Sequence, residues 1–303
     1  MANRHGDFVW YELMTTDPDA AAAFYGAVVG WQTRAAGGSV QGYRVFGLDG
    51  TDVGGLMTIL PDDAAAGMRP GWLGYVGVED VDAAVPQVLE AGGAVHVPPT
   101  DIPGIGRFAL VADPQGAAFY MMRGATEGTS LSFAPQRTGH CHWNELATSD
   151  QAAALTFYTG LFGWERGDVM PMGELGGYQF ITHHGETIGA MMTQRPGGPR
   201  PAWTFYFGVE DIDIAARAVS DNGGAIHYGP AEVPGHSRPG LVGYDGHESR
   251  LPWGRHAVEH MGSGDGPEIA QPALLQSALQ RLYVSVAHHC RVCRAVFVGL
   301  RKG

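Results

Sequence analysis

The chain has 303 residues, 45% of them hydrophobic and 17% charged, which suits a globular protein of two domains, each able to bury its own core. A formal net charge of −12 leaves no basic stripe to displace counterions, so nucleic acid is excluded as an expected partner. No basic-then-apolar leader, no 18-residue apolar run and only three cysteines are present, so a cytoplasmic protein without a membrane span or a disulfide framework is expected.

In chain order, Phe8 to Met14 reads as a strand with Phe8, Trp10, Glu12 and Met14 on one face and Val9, Tyr11 and Leu13 on the other. Both faces carry apolar residues, which predicts a central strand covered on both sides. Asp17 and Pro18 then supply an N-cap and a first helical residue, Ala20 to Val29 continues the helix, and Gly30 ends it. Tyr43 to Leu48 and Val53 to Leu60 are strand-like and are split by the turn Asp49-Gly50. The segment from Asp62 to Pro70 reads as a linker. Leu73 to Val78 is a strand, and Asp80 caps a helix from Val81 to Ala91, with Pro86 inside it removing one backbone bond. Strands at Ala94–Val97, Arg107–Ala112 and Ala117–Met122 follow, the last two joined by Asp113-Pro114-Gln115-Gly116. Two β-α-β-β-β units account for this half.

The second half repeats the first. Trp10 to Trp31 returns as Trp143 to Trp164 with 11 of 22 positions identical, and Trp72 to His96 returns as Trp203 to His227 with 13 of 25. Shared apolar composition does not hold such residues in register, so the chain is an internal duplication. The match then fails: Pro103 to Gly116 has its counterpart at Pro234 to Gly246, but past Arg238 no DPQG-like turn and no alternating last strand follow. Two readings stay open, divergence with a C-terminal extension or a shifted reading frame upstream. The expected fold class is α+β, with a first domain at 8–123, a linker at 124–139, a second domain at 140–251 whose last unit is incomplete, and a poorly ordered tail at 252–303.

This pattern resembles the vicinal oxygen chelate superfamily, the glyoxalase/bleomycin-resistance/extradiol-dioxygenase group, in its tandem two-domain form. The resemblance is carried by the runs Thr15 to Trp31 and Thr148 to Trp164, by Gly77 to Asp82 with its copy Gly208 to Asp213, and by the turn Asp113 to Gly116. It implies sheets curled into a cup that holds the ligand or metal. In metal-dependent relatives the resemblance puts one ligand seven residues before the helix-capping Asp, a second opening the strand before the Val-x-Asp run, and a third after the DPxG turn. Those positions are Trp10, Leu73 and Tyr120 in the first copy, and Trp143 and Thr204 in the second. Indole, alkyl and phenol side chains do not hold a divalent ion that wants imidazole or carboxylate. No metal at these positions and no cofactor is therefore expected, a non-standard divalent metal site being the alternative.

Glu12 and Glu145 share a strand face with Trp10 and Trp143, and a buried carboxylate needs a partner or a raised pKa. They are the candidate polar anchors or general bases. Trp10, Tyr75, Tyr120, Trp143, Thr204 and Tyr206 are the candidate ligand-binding residues. A cup lined by Trp and Tyr around one carboxylate favours a flat or hydrophobic organic ligand over a hydrated ion. Three functions remain in play: binding of a small organic molecule, a lyase, isomerase or hydroxylase using Glu12 or Glu145 as base, and a structural protein whose cups are filled by its own rings. The expected partner is a small-molecule ligand, with no membrane and with a monomer or homodimer as the assembly. His96 and His227 read as structural or solvated. His140 and His142 are expected on the face opposite Trp143. His288-His289-Cys290-Arg291-Val292-Cys293 resembles half a zinc site and is read as coincidence.

Overall fold

The computed structural model describes residues 3–36, 42–65, 68–194 and 200–226. His227, the divergent segment after it and the His288 to Cys293 motif lie outside the described residues. The first domain opens with β1 (Phe8–Thr15), α1 (Pro18–Val29), β2 (Gln32–Ala35), β3 (Arg44–Leu48) and β4 (Thr51–Thr58). A short helix α2 (Pro61–Ala65) leads to β5 (Gly71–Gly77), α3 (Val81–Glu90), β6 (Ala94–Ile102), β7 (Gly106–Ala112) and β8 (Ala118–Gly124). Together they form one eight-stranded open sheet in the order β2-β3-β4-β1-β5-β8-β7-β6. β1 runs parallel to β4 and antiparallel to β5, so the two units meet along the sheet's midline. The second domain repeats the plan with β9 (Cys141–Thr148), α4 (Gln151–Phe162), β10 (Glu165–Pro171), β11 (Gly177–His183), β12 (Glu186–Thr193), β13 (Ala202–Phe207) and α5 (Ile212–Asp221). Its described strands form a five-stranded sheet, β10-β11-β12-β9-β13.

The helices start where the Asp residues predict. Asp17 accepts from the Ala20 amide at 3.0 Å, and Asp150 accepts from Ala153 at the same distance. Gly30 and Gly163 close α1 and α4 in the left-handed region, at φ 86° and 66°. Helix α3 runs through Pro86, and the segment expected as a plain linker contains α2. β2 was not expected, because Gln32, Arg34 and Ala35 are exposed on an edge strand and carry no alternating apolar signal.

One expectation about β1 is corrected. A bulge leaves Val9 unpaired: Phe8 stands opposite Val76 and Trp10 opposite Tyr75. Phe8 therefore joins Tyr11 and Leu13 in the main core, while Val9 joins Trp10 on the other face. The same irregularity recurs in β9, where Cys141 faces Phe207 and Trp143 faces Tyr206. His142 is the unpaired residue there, so Cys141 falls in the main core and not on the Trp143 face, where strict alternation would put it.

The helix-bearing faces of the two sheets share a single core that includes Tyr11, Trp31, Val81, Phe119, Tyr158, Trp164 and Val219. The two copies grip one another reciprocally. Trp31 Nε1 donates to the Gly139 carbonyl ahead of β9 at 2.8 Å, and Trp164 Nε1 donates to the Gly6 carbonyl ahead of β1 at 2.9 Å. Gly6 and Gly139 hold matched left-handed conformations at φ 88° and 77°, which only glycine adopts freely. Between these clasps, Tyr11 donates to Asn144 Oδ1 at 2.8 Å, and these two residues occupy equivalent positions in the two copies. Tyr158 donates to the buried Asp113 of the β7–β8 turn at 3.2 Å.

Trp31→Phe and Trp164→Phe each strand a buried carbonyl and leave a small void, for an expected loss of roughly 1–3 kcal/mol apiece from the hydrogen bond alone. Urea denaturation followed by circular dichroism measures it. A loss of zero in both variants removes the clasp as a source of stability.

Candidate functional site

The faces turned away from the shared core carry two smaller clusters. In the first domain Val9, Tyr75 and Tyr120 are buried together, with Trp10, Leu73, Phe108, Leu110 and Met122 packed around them. Glu12 stands among these residues, between Gly55 on β4 and Leu73 on β5, and is only 3% exposed. Tyr75 donates to its Oε2 at 3.0 Å. The hydroxyls of Tyr43 and Tyr120 also stand close enough to favour the charged carboxylate. Oε1 is buried with no hydrogen-bond partner. Tyr43 precedes β3 and Tyr120 lies on β8, four strand spacings apart in the sheet order, or about 19 Å if the sheet were flat. Both reach the same carboxylate, so side chains from β1, β5, β8 and the residue ahead of β3 converge on it.

The ring arrangement is specific. Trp10 Nε1 donates to Tyr43 O–H at 3.0 Å, which leaves the Tyr43 proton for Glu12. Tyr75 and Tyr120 stack with centroids 4.2 Å apart and planes 17° from parallel. Gly55 is needed at its position, because a Cβ there would collide with the Tyr43 hydroxyl and come within 3.0 Å of Trp10 Nε1.

Burial raises the Glu12 pKa from its ordinary 4.5, and the three tyrosine hydroxyls oppose that rise without cancelling it. Burial and the neighbouring carboxylate push Tyr43, Tyr75 and Tyr120 upward, so they remain protonated donors. Among the described residues no Arg, Lys or His forms an ion pair with Glu12.

The second domain rebuilds half of this arrangement. Trp143 Nε1 donates to Tyr178 O–H at 2.9 Å, and Tyr178 donates to Glu145 Oε2 at 2.6 Å. Ala190 and Thr204 flank Glu145 in register, Tyr206 faces Trp143, and Met172, Phe180 and Met192 complete the cluster. Among the described residues there is no strand corresponding to β8, and so no counterpart of Tyr120.

The structure thus brings Trp10, Glu12, Tyr75 and Tyr120 together in one cluster and Trp143, Glu145, Thr204 and Tyr206 in another. Sequence reasoning missed Tyr43 and Tyr178, the two tyrosines that link indole to carboxylate. A signal existed: each follows a glycine at the start of the third strand of its unit, in Gly42-Tyr43 and Gly177-Tyr178. His140 and His142 spend ring nitrogens on the carbonyls of Leu131 and Arg137, and burial holds both below the ordinary histidine pKa. His96 is exposed on the edge strand β6.

A family model described as Glyoxalase/Bleomycin resistance protein/Dioxygenase superfamily matches residues 7–121 and again 137–247. The chain belongs to this superfamily. The second match runs past Arg238, where the internal repeat ceases to be readable. A Mycobacterium bovis protein provisionally named glyoxylase CFP32 is 34% identical over 76% of this chain and 88% of its own length. The anthracycline biosynthesis protein DnrV of Streptomyces peucetius is 32% identical over 77% and 88%. Among solved structures, the chain resembles 2,2',3-trihydroxybiphenyl 1,2-dioxygenase of Sphingomonas wittichii, with a TM-score of 0.52, 16% identity and coverage of 75% and 81%. It also resembles the Mn(II)-bound glyoxalase of Novosphingobium aromaticivorans, with a TM-score of 0.50, 20% identity and coverage of 75% and 74%. At these identities the structural likeness speaks for the glyoxalase-superfamily fold.

The metal positions implied by the superfamily resemblance do not fit a divalent ion in this chain. In the first domain they carry indole, isobutyl and phenol groups, and Glu12 supplies a single carboxylate already met by Tyr75. In the second domain Trp143 and Thr204 stand at the corresponding places.

Because the folded-state pKa of Glu12 lies above the ordinary 4.5, the fold binds this proton more tightly than the unfolded chain does. Its stabilising contribution is complete below pH 4.5 and is lost as pH rises through the folded value. Glu12→Gln removes that loss. Its stability relative to the parent should therefore grow between pH 4.5 and neutrality in urea titrations, and a pH-independent difference contradicts the assignment.

Proposed function

We propose that the chain binds a small organic molecule in the first cup, with Glu12 as the polar anchor and Trp10, Tyr75 and Tyr120 as the apolar wall. The observation that supports this most directly is the unmatched Glu12 Oε1, buried at the focus of three tyrosines and an indole. A buried acceptor without a donor costs roughly 1–3 kcal/mol, which a ligand O–H or N–H placed there recovers. A wall of aromatic rings suits a flat ligand. Similarity to a protein named for anthracycline biosynthesis is in keeping with a fused-ring ligand. The second cup, with Trp143, Glu145, Thr204 and Tyr206, is a related but differently shaped binding site in this reading. The protein acts in the cytoplasm as a monomer or homodimer, and no metal sits at the superfamily's usual positions.

A second reading rests on the raised pKa of Glu12. A carboxylate moved toward neutrality is a better general base, so a lyase, isomerase or hydroxylase reaction that begins with proton removal from the bound molecule is the alternative. The same role falls to Glu145 in the second cup, and a non-standard divalent metal site belongs to this reading.

The test is a melting and tryptophan-fluorescence screen of the full chain against planar aromatic molecules bearing hydroxyl or amine groups. At least one compound should raise the melting temperature. Glu12→Ala should weaken it by roughly 10–100-fold, the worth of one hydrogen bond to a charged group. An empty screen, or binding indifferent to Glu12→Ala, sinks the binding reading. Glu12→Gln that binds but no longer turns a ligand over would favour the enzyme.

A further inference from the structure

Outside both cups, three ligating side chains converge where the N-terminal segment meets the β11–β12 turn. A carboxylate oxygen of Asp7 and one ring nitrogen each of His183 and His184 lie within 4.8 Å of one another. Asp7 lies just ahead of β1 in the first domain. His183 ends β11, and His184 opens the turn that follows in the second.

Each group is held by the fold. Asp7 Oδ2 accepts from the Arg4 amide at 2.8 Å and faces Arg4 Nε at 3.5 Å, while Oδ1 is turned to His183 Nε2 at 3.5 Å. His183 is 5% exposed and donates Nε2–H to the His5 carbonyl at 3.0 Å. Its ring is packed against Gly6, where a Cβ would come within 3.0 Å of it. His184 adopts φ 51°, uncommon for a residue with a side chain, and its ring centroid lies 4.0 Å from that of His183. His184 is exposed, so an ion has a path in from solvent.

The chemistry of this set is that of a borderline divalent cation. Two imidazoles and one carboxylate are donors that Zn(II) and its neighbours take, with water completing the coordination. A ligating histidine normally gives one ring N–H to a backbone carbonyl; His183 gives Nε2–H to His5, so Nδ1 is the nitrogen it would offer an ion. Arg4 is the nearby cation. Its side chain is 59% exposed, so its charge is well screened.

We propose that Asp7, His183 and His184 form a Zn(II)-class site that bridges the two domains, separate from both cups. A bound ion ties the segment ahead of β1 to the β11–β12 turn and adds a metal-dependent link to an interface otherwise built of aromatic packing and hydrogen bonds. Unlike the binding reading above, it does not depend on Glu12.

The test uses untagged full-length protein stripped with chelator and titrated with Co(II) and Zn(II), read by visible absorption, calorimetry and melting temperature. Each titration is repeated in a Cys290→Ser/Cys293→Ser background to remove the tail thiols. One equivalent should bind in both backgrounds and raise the melting temperature. His184→Ala should weaken it by more than the roughly 10–100-fold that changes behind the ligands cost, with the metal-free melting temperature unchanged. Asp7→Asn serves as the second variant, and Glu12→Gln should leave binding intact. No binding, binding unchanged in both His184→Ala and Asp7→Asn, or binding lost only with Cys290 and Cys293 or only with Glu12 overturns the proposal.

Discussion

The architecture hangs on a reciprocal pair of hydrogen bonds, Trp31 to the Gly139 carbonyl and Trp164 to the Gly6 carbonyl. Each indole belongs to one copy, and each carbonyl lies at the entry of the other. Gly6 and Gly139 also donate to the carbonyls of Gly77 and Gly208, so one glycine ties the clasp to the end of β5 and the other to the residue after β13. Once the helix-bearing faces are fixed to each other, the opposite faces must look outward. The carboxylates Glu12 and Glu145 sit on those faces. The interface thus absorbs apolar surface that would otherwise need covering, and leaves polar chemistry for the outward sides.

The two outward faces show how a sheet accommodates a carboxylate. A lone buried charge costs several kcal/mol unless something compensates it. Here the compensation comes from phenols: Tyr75 in the first cup and Tyr178 in the second donate directly. Hydroxyl donors lower the carboxylate pKa less than an arginine at contact distance, so Glu12 keeps a raised value and an oxygen without a partner. A salt bridge would have left a structural carboxylate. A ring of phenols leaves Glu12 with an unmatched oxygen and a raised pKa.

Much of this was legible in the sequence. The Asp caps, the glycine terminators and the repeat gave the helices, the duplication and the family. The two glutamates were placed on the correct strand face because the side-chain period of a strand is two. Strict alternation then failed at Phe8 and Val9, and again at Cys141 and His142, because a bulge is set by how the neighbouring strand pairs and not by local composition. Tyr43 and Tyr178 were invisible for a related reason. Their importance lies in reaching across the sheet to a residue two strands away, and the sequence around them carries only the repeated Gly-Tyr pair. Gly55 looks like any strand glycine until the Tyr43 hydroxyl is seen against it.

Tyr11 and Asn144 occupy equivalent places in the two copies and touch each other, so the approximate dyad between the copies passes between them. A homodimer places the same residue on both sides of such an axis. Two tyrosines there would each bring a hydroxyl to one crowded point, and two asparagines would leave a gap. Covalent fusion lifts that restriction. One side keeps the phenol as donor, while the other becomes an amide that accepts from it and passes its own N–H to the Ile188 carbonyl at 2.7 Å. Joining the halves in one chain allowed the centre of the assembly to become a complementary pair, which two identical subunits cannot encode.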